Sequence, residues 1–559
     1  MKSQARGSRF QRPVTDLPLE ELSAIVDRDK QLGLAEKDHT QLRAAISTLV
    51  FLTQELQRKN TSIKRLRQML FGSQSEKTEK VLDANPTPNS PAGEDATPPE
   101  AEGKDDAKAK VKRKGHGRAG AAAYTGAEQV PVPHPLLHRG DSCPGCEKGK
   151  VYPLEDPAML VRITGMAPLS ATVYSCDRLR CNLCGEVFTA PAPEGVGEEK
   201  YDETASSMIG LLKYGSGLPF NRIEKLQAGM GIPLPAATQW GLVERAAEVL
   251  APAHQELIRQ AAQGEVLHND DTTMKVLQIS KEERAAALGD EQRKGVFTSG
   301  IVSVGGGHSI ALFFTGVKHA GENLADVLAQ RAVELPEPIQ MCDALSANTA
   351  GDFKTILANC NAHARRGFVE VTESFPEEVR VVLETFSEVY RNDDIARKQK
   401  MTPLERLKFH QESSGPRMEK LQLWATQQLG EKRVEPHSGL GEALGYLLKH
   451  WKKLTQFLKV PGAPLDNNIC ERVLKKAILH RKNAHFYRTL NGAKVGDLFM
   501  SLIHTAELNG VHPFDYLVAL QCYSAQVKEK PSEWMPWNYE SARARLKSPA
   551  VANDAPGRS

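Results

Sequence analysis

The apolar positions change period several times along the chain. Leu42, Leu49, Leu56, Ile63 and Leu70 recur every seven residues, the spacing of a helix that pairs through one seam. The companion seam, Ile46, Thr53, Asn60 and Arg67, is mostly polar. A coiled-coil or leucine-zipper-like helical region over 20–78 is therefore expected, with an amphipathic helix packed on its own domain as the competing reading. From Thr204 to Gln260 the spacing is again helical: two breaks, Gly215 to Pro219 and Gly231 to Pro235, leave three short helices. Helix, turn and helix over 199–260 would put Ala236, Ala237, Thr238 and Gln239 at the groove-facing start of the third. Period two then predicts strands from Val266 to Ile279, Val296 to Val304, Ser309 to Gly316 and Pro338 to Asp343, with a helix from Glu322 to Val333 before the last. From Glu373 to Leu458 the pattern is helical and rich in both charges.

Composition adds boundaries. Residues 79–125 are Pro-, Ala- and acid-rich and then basic, a disordered linker whose end, with Lys112, Arg113, Lys114 and Arg118, could follow a phosphate backbone. The net charge of the 559 residues is only +3, so a nucleic-acid surface must be a local patch. Nine cysteines include Cys143-Pro-Gly-Cys146 and Cys181-Asn-Leu-Cys184. Two such knuckles predict a zinc-ribbon-like domain over 126–198 holding structural Zn²⁺, with an inserted hairpin between them and Cys176 as a possible substitute ligand. Strands are read there at Leu160 to Ile163 and Ala171 to Tyr174. No apolar run reaches membrane-spanning length, and the start lacks a signal-peptide core; a cytoplasmic protein with no membrane partner is expected.

The candidate chemistry lies in the strands. His268-Asn269-Asp270-Asp271 sets two carboxylates on opposite faces of the first strand, and Asp343 ends the fourth. Three strands, a helix and a fourth strand ending on an acid is the order of a ribonuclease H-like fold, in which the first and fourth strands are neighbours and Asp270 would meet Asp343. Paired carboxylates repel unless a cation lies between them, and their hard oxygens suit Mg²⁺. A third acid is offered by Glu471, behind the turn Asp466-Asn467-Asn468. At about 100° per residue, Ile469, Cys470, Val473, Leu474, Ala477 and Ile478 form an apolar arc; Glu471 falls at its edge and Arg472 points away. The acid-free run beyond carries Lys475, Lys476, Arg481 and Lys482, with Phe486 and Tyr487 among them, as candidate holders of a DNA backbone. Glu471 pairing with Lys475 on a solvated face is the plainer reading. Between the second and third acids, Cys360 and His363 have a spacing that can share a metal or simply pack, and Arg365 and Arg366 are candidate phosphate contacts.

Together these segments resemble the transposases of the insertion sequence 66 family, members of the DDE group. The resemblance rests on Phe71-Gly-Ser-Gln-Ser-Glu-Lys77, Gly115-His-Gly-Arg118, the paired knuckles, Lys213-Tyr-Gly215, His268-Asn-Asp-Asp-Thr272, Cys360-Asn-Ala-His-Ala-Arg-Arg-Gly-Phe368, Asp466-Asn-Asn-Ile-Cys-Glu-Arg472, Arg481-Lys-Asn483 and Asn509-Gly-Val-His-Pro513. It implies a bacterial enzyme that cuts element ends and joins them to target DNA, with Asp270, Asp343 and Glu471 as catalytic triad holding two Mg²⁺ or Mn²⁺ ions. It further implies a homodimer or higher oligomer on DNA and accessory transposition proteins. The family's usual Asp-Glu-Thr stands here as Asp270-Asp271-Thr272, leaving Asp271 as a rival ligand, and its Asp-Gly-Tyr as Asp343-Ala344-Leu345. The expected architecture is multidomain α/β: a ribonuclease H-like catalytic core (261–370 and 461–500) with a helical insertion (371–460), preceded by coiled-coil helix, zinc ribbon and helix-turn-helix, and followed by helical segment 501–545 and tail 546–559. A regulator that binds DNA without cutting it, or a structure-selective nuclease on the same fold, are the alternatives.

Overall fold

A computed structural model describes residues 199–279, 295–351 and 353–547, with shorter pieces between 136 and 193 and Glu282. The zipper-like region, the basic arm with Lys112, Arg113, Lys114 and Arg118, and Cys143, Cys181 and Cys184 lie outside the described residues. Described residues up to Pro168 form one compact unit and those from Leu169 onward another. In the first, Ser142 bridges Lys150 and Cys146 is exposed. In the second, Arg178–Arg180 pairs antiparallel with Val187–Thr189. The strand expected at Ala171 to Tyr174 is absent: Val173 and Tyr174 are exposed, so this alternation has no face to bury.

The larger unit is built on a five-stranded mixed sheet. Its strands are β1 (Val266–Thr273), β2 (Phe297–Gly305), β3 (His308–Gly316), β4 (Ile339–Cys342) and β5 (Ile356–Asn359), in the order β3-β2-β1-β4-β5. β2 and β3 form a hairpin closed by Gly306 and Gly307, both at positive φ (59° and 81°), the geometry that two-residue hairpin turns require. β1 runs antiparallel to β2 and parallel to β4, and β4 parallel to β5. The first and fourth strands are thus neighbours, as expected. β1 is shorter than expected, because beyond Thr273 the chain leaves the sheet and Val276–Gln278 pairs instead with Tyr487–Thr489, burying Val276 and Tyr487.

Helices α1 (Glu203–Gly210), α2 (Phe220–Gly229) and α3 (Ala236–Ala261) precede the sheet, and α4 (Ala320–Leu328) crosses from β3 to β4. The stretch read as a helix-turn-helix region is these three helices, and they bury Ile209, Ile223, Leu242 and Leu250 in the same apolar core as Leu267, Ile301 and Phe313 of the sheet. After β5 comes α5 (Asn361–Glu370), followed by α6 (Pro376–Lys398), α7 (Pro403–Ser413), α8 (Gly415–Gly430) and α9 (Gly439–Lys449), which lie in the stretch read as a helical insertion. Pro376 and Pro403 start their helices at the first turn, and Thr402 with Glu405 makes a capping box. These helices share a second core with Ile339, Met341 and Ala358 of β4 and β5. The chain returns as α10 (Asn468–Ala484), then α11 (Leu490–Leu508) and α12 (Pro513–Cys522).

An unpaired sheet edge invites aggregation, and α11 closes the free edge of β3. Asn509 accepts from the Ser309 N–H (3.3 Å), Thr505 from Ala311 (3.0 Å), Ser501 from Phe313 (3.0 Å) and Asp497 from Thr315 (2.6 Å). Four helical residues rise about 6 Å and two strand residues about 6.8 Å. One polar side chain per helical turn therefore meets every outward N–H of the strand.

Burial pushes the Asp497 carboxyl up to about 7, against the opposing pull of the two hydrogen bonds from Thr315 and of Lys494. A carboxyl raised above its unfolded value of 3.8 favours the fold when protonated. That stabilisation is complete below about pH 4 and lost as the pH rises to about 7. Asp497→Asn removes the titration. The melting temperature of the variant relative to the parent should climb between pH 4 and 7 and level off above, measured by calorimetry; a pH-independent gap would contradict this account.

Candidate active site

β1 carries a polar run through the middle of the sheet, and polar groups so placed must find partners. His268 and Asn269 are buried. The amide of Asn269 donates to the Asn348 carbonyl (2.7 Å) and accepts from Gln340 (3.0 Å); Gln340 also reaches the Asn348 carbonyl (2.7 Å) and accepts from Thr355. On the other side, Asn467 donates to the Asn269 carbonyl (3.1 Å), and its side-chain oxygen lies 3.1 Å from His268 Nδ1. Burial pushes His268 down to about 4, its bond to Asn467 only partly opposing this, so the ring is neutral near pH 7 and donates to Asn467.

This network sets the acids. The register pairs His268 with Met341, so two residues on Asp270 stands beside Asp343, just past the end of β4. Asn348 joins them, its amide 2.7 Å from Asp343 Oδ1 and 3.4 Å from Asp270 Oδ1. The Leu345 N–H also donates to Asp343 (3.1 Å), and that leucine is exposed where the resemblance has an aromatic. Asp271 is held elsewhere: His319 Nδ1 lies 2.8 Å from its Oδ2, and the first amide of α4, Ala320, 3.4 Å away.

The third acid arrives on α10. Cys470, Val473, Leu474 and Ala477 are buried as the helical wheel requires, Glu471 is half-buried at the edge and Arg472 is exposed. Gly300 is the antiparallel partner of Asp270; a Cβ there would come within 2.9 Å of Leu474, so its absence lets α10 lie against the sheet next to that aspartate. Asn467, four residues before Glu471, accepts from its N–H (3.1 Å). Glu471 faces His363 (3.7 Å) and Arg366 (3.9 Å). Burial, offset by the Asp271 N–H and reinforced by Asp343, Asp271 and Glu471, pushes Asp270 up to about 7.

The expected DNA-contacting residues divide. Arg472, Lys475 and Lys482 are exposed, and Arg365 and Arg366 are half-buried. Lys476 pairs with Glu507 (3.3 Å). Arg481 is committed to the end of β1, bonding Thr272 (3.1 Å) and Thr273 (2.8 Å). Tyr487 is buried and stacks on His480, so it offers no ring to DNA. Gln239 is a correction: it is fully buried and its amide ties the carbonyls of Phe220 (3.1 Å) and Leu234 (2.9 Å), closing the turn between α2 and α3. Thr238 beside it is half-buried.

Asn348 and Asn467 escaped the sequence reading. Asn467 was legible only as turn chemistry, yet it is Asp466 that accepts from the Asn468 N–H (3.0 Å), which frees the Asn467 amide for β1. Asn348 sits in a short 3₁₀ turn, Ser346–Asn348, with no local pattern to mark it.

The family model described as "Transposase IS66 family" matches residues 200–495, more than half of the chain and a span that includes Asp270, Asp343 and Glu471. Among similar proteins is the Sinorhizobium fredii "Uncharacterized protein y4jD", 27% identical over 393 residues that cover 65% of this chain and 71% of that protein. Another from the same organism, "Uncharacterized protein y4hP", is 26% identical over 403 residues, 66% and 68% of the two chains.

Asn467→Ala orphans the His268 N–H and the Asn269 carbonyl, at about 1–3 kcal/mol for each buried group. Urea unfolding should show a clear drop in midpoint for this variant and a much smaller one for Asn468→Ala, whose amide bonds only Asp466. Equal losses would show that the network does not anchor α10.

Proposed function

The chain belongs to the IS66 transposase family, and on that premise we propose that it is a DDE-type DNA transposase on a ribonuclease H-like core, cutting element ends and joining them to target DNA. The observation that carries the reading is the convergence of Asp270, Asp343 and Glu471 at the carboxyl ends of β1 and β4, where Asn348 bridges the aspartates and Asn467 sets the glutamate's helix. The donor set suits hard divalent cations: three carboxylates, one of them raised to about 7 by burial and by its acidic neighbours, have negative charge to be neutralised. Asp270, Asp343 and Glu471 would hold Mg²⁺ or Mn²⁺. When bound, two such ions activate an attacking hydroxyl and stabilise the leaving oxygen of an in-line displacement.

The chain's own residues do the rest. Asn348 keeps the aspartate oxygens in register, and Asp271, engaged by His319 and α4, positions the strand. Exposed Arg472, Lys475 and Lys482 on α10, with Arg365 and Arg366 on α5, offer charge to the phosphate backbone. Hydrolysis at the element end frees a 3′ hydroxyl, which then attacks target DNA. Joining two ends requires at least two such sites, and the seam of Leu42 to Leu70 suits pairing of subunits.

Cleavage of labelled DNA carrying the sequences that flank the gene, in Mg²⁺ and with any accessory proteins encoded beside it, tests this. Glu471→Gln and Asp270→Asn should each lower end-specific nicking by about a hundredfold or more, and Asp271→Asn far less. Nicking by Glu471→Gln at the parent rate would remove Glu471 from the triad.

A further inference from the structure

Three side chains of different chemistry meet where the helical insertion joins α10. Cys360 is the N-cap of α5, His363 lies one turn further on, and Glu471 comes from α10; a sulfur, an imidazole nitrogen and a carboxylate oxygen all lie within 4.8 Å of one another. His363 Nδ1 stands 3.7 Å from Glu471 Oε1, beyond hydrogen-bonding range. Both atoms are buried and have no hydrogen-bond partner. A buried carboxylate oxygen facing a buried ring nitrogen across a gap is an unfinished arrangement unless something occupies the gap. The Cys360 sulfur completes it, oriented by the Asn467 N–H at 3.2 Å.

We propose that Cys360, His363 and Glu471 form a second metal site beside the aspartate pair, sharing Glu471 with it, that takes one Zn²⁺ through Sγ, Nδ1 and Oε1. Thiolate and imidazole donors select a borderline ion of the zinc kind over Mg²⁺, which takes oxygen ligands. Zinc bonds of about 2.0–2.3 Å set tetrahedral ligands about 3.3–3.8 Å apart, so small side-chain shifts close the site. Arg366 approaches the other carboxylate oxygen, Oε2, at 3.9 Å, leaving Oε1 to the ion. Such an ion ties α5, the helix that leads into the insertion, to the helix carrying Glu471 and holds that carboxylate still. The site is read from these three side chains and does not rest on the DNA chemistry proposed above.

Zinc is counted per chain on the full-length protein and on Cys360→Ser and His363→Gln, after dialysis against limiting zinc. The two Cys-x-x-Cys pairs contribute alike to all three. The parent should hold one ion more than either variant, and the Co²⁺-substituted parent should lose part of its thiolate charge-transfer absorption in Cys360→Ser. His363→Gln conserves side-chain bulk, so it decides the matter should Cys360→Ser fail to fold. Equal zinc in the parent and in folded His363→Gln overturns the proposal. So does loss of the extra ion in Asp270→Asn with its retention in His363→Gln, which would assign the ion to the aspartates.

Discussion

The arrangement of the three acids depends on one constraint: the central strand carries polar side chains into the buried interior, and each must be paired. His268 and Asn269 lie on β1 between two neighbouring strands, with both side chains buried. A half-satisfied network in such a place is costlier than none. The partners come from far along the chain, Asn348 from the turn after β4 and Asn467 from the approach to α10. Each partner also fixes an acid: the Asn348 amide lies on Asp343, and the Asn467 carbonyl receives the Glu471 N–H. Satisfying the buried strand and assembling the acids are therefore the same event.

The same economy explains how a long helical insertion can stand between the second and third acids. Its neck is drawn together by Asn361, whose side-chain amide donates to the carbonyls of Leu454 and Leu465 (3.0 Å each) and whose backbone N–H also donates to the Leu465 carbonyl (3.1 Å). Arg406 adds a bond from inside the insertion to the Ala463 carbonyl (2.9 Å). Closing a loop at its ends makes the cost of its length grow only slowly. The insertion packs its helices on β4 and β5 in a second core, and α10 begins from a fixed point whatever lies between.

What could be read from the sequence was what neighbouring residues determine. Period two marked four strands, the wheel placed Glu471 at the rim of an apolar arc, and an acid at the end of a buried run marked Asp343. β5 was missed because Ile356–Asn359 is four residues with no alternation, a strand only because β4 lies beside it. Gln239 was misread because a polar residue at a helix start has the same local signature whether it faces a groove or its own turn. The spacing Asp497, Ser501, Thr505, Asn509 stands plainly in the sequence, yet it means nothing until an open strand edge lies alongside. Tyr487 likewise reads as a surface ring among cations, and only the pairing of its strand with Val276–Gln278 buries it.

The adjacent aspartates show how one strand can supply both structure and chemistry. Alternation sends Asp270 and Asp271 to opposite sides, and their surroundings then separate them. Asp271 meets an imidazole and the first amide of α4, where a helix N-terminus favours negative charge; its charge is answered by the fold. Asp270 is held by a neutral amide and by the N–H of its own neighbour, while burial and three further carboxylates work against its ionisation. Neutral donors orient a carboxylate but do not discharge it. The fold thus answers the charge of Asp271 and only aims that of Asp270, whose carboxyl faces Asp343 and Glu471 beyond the strand end.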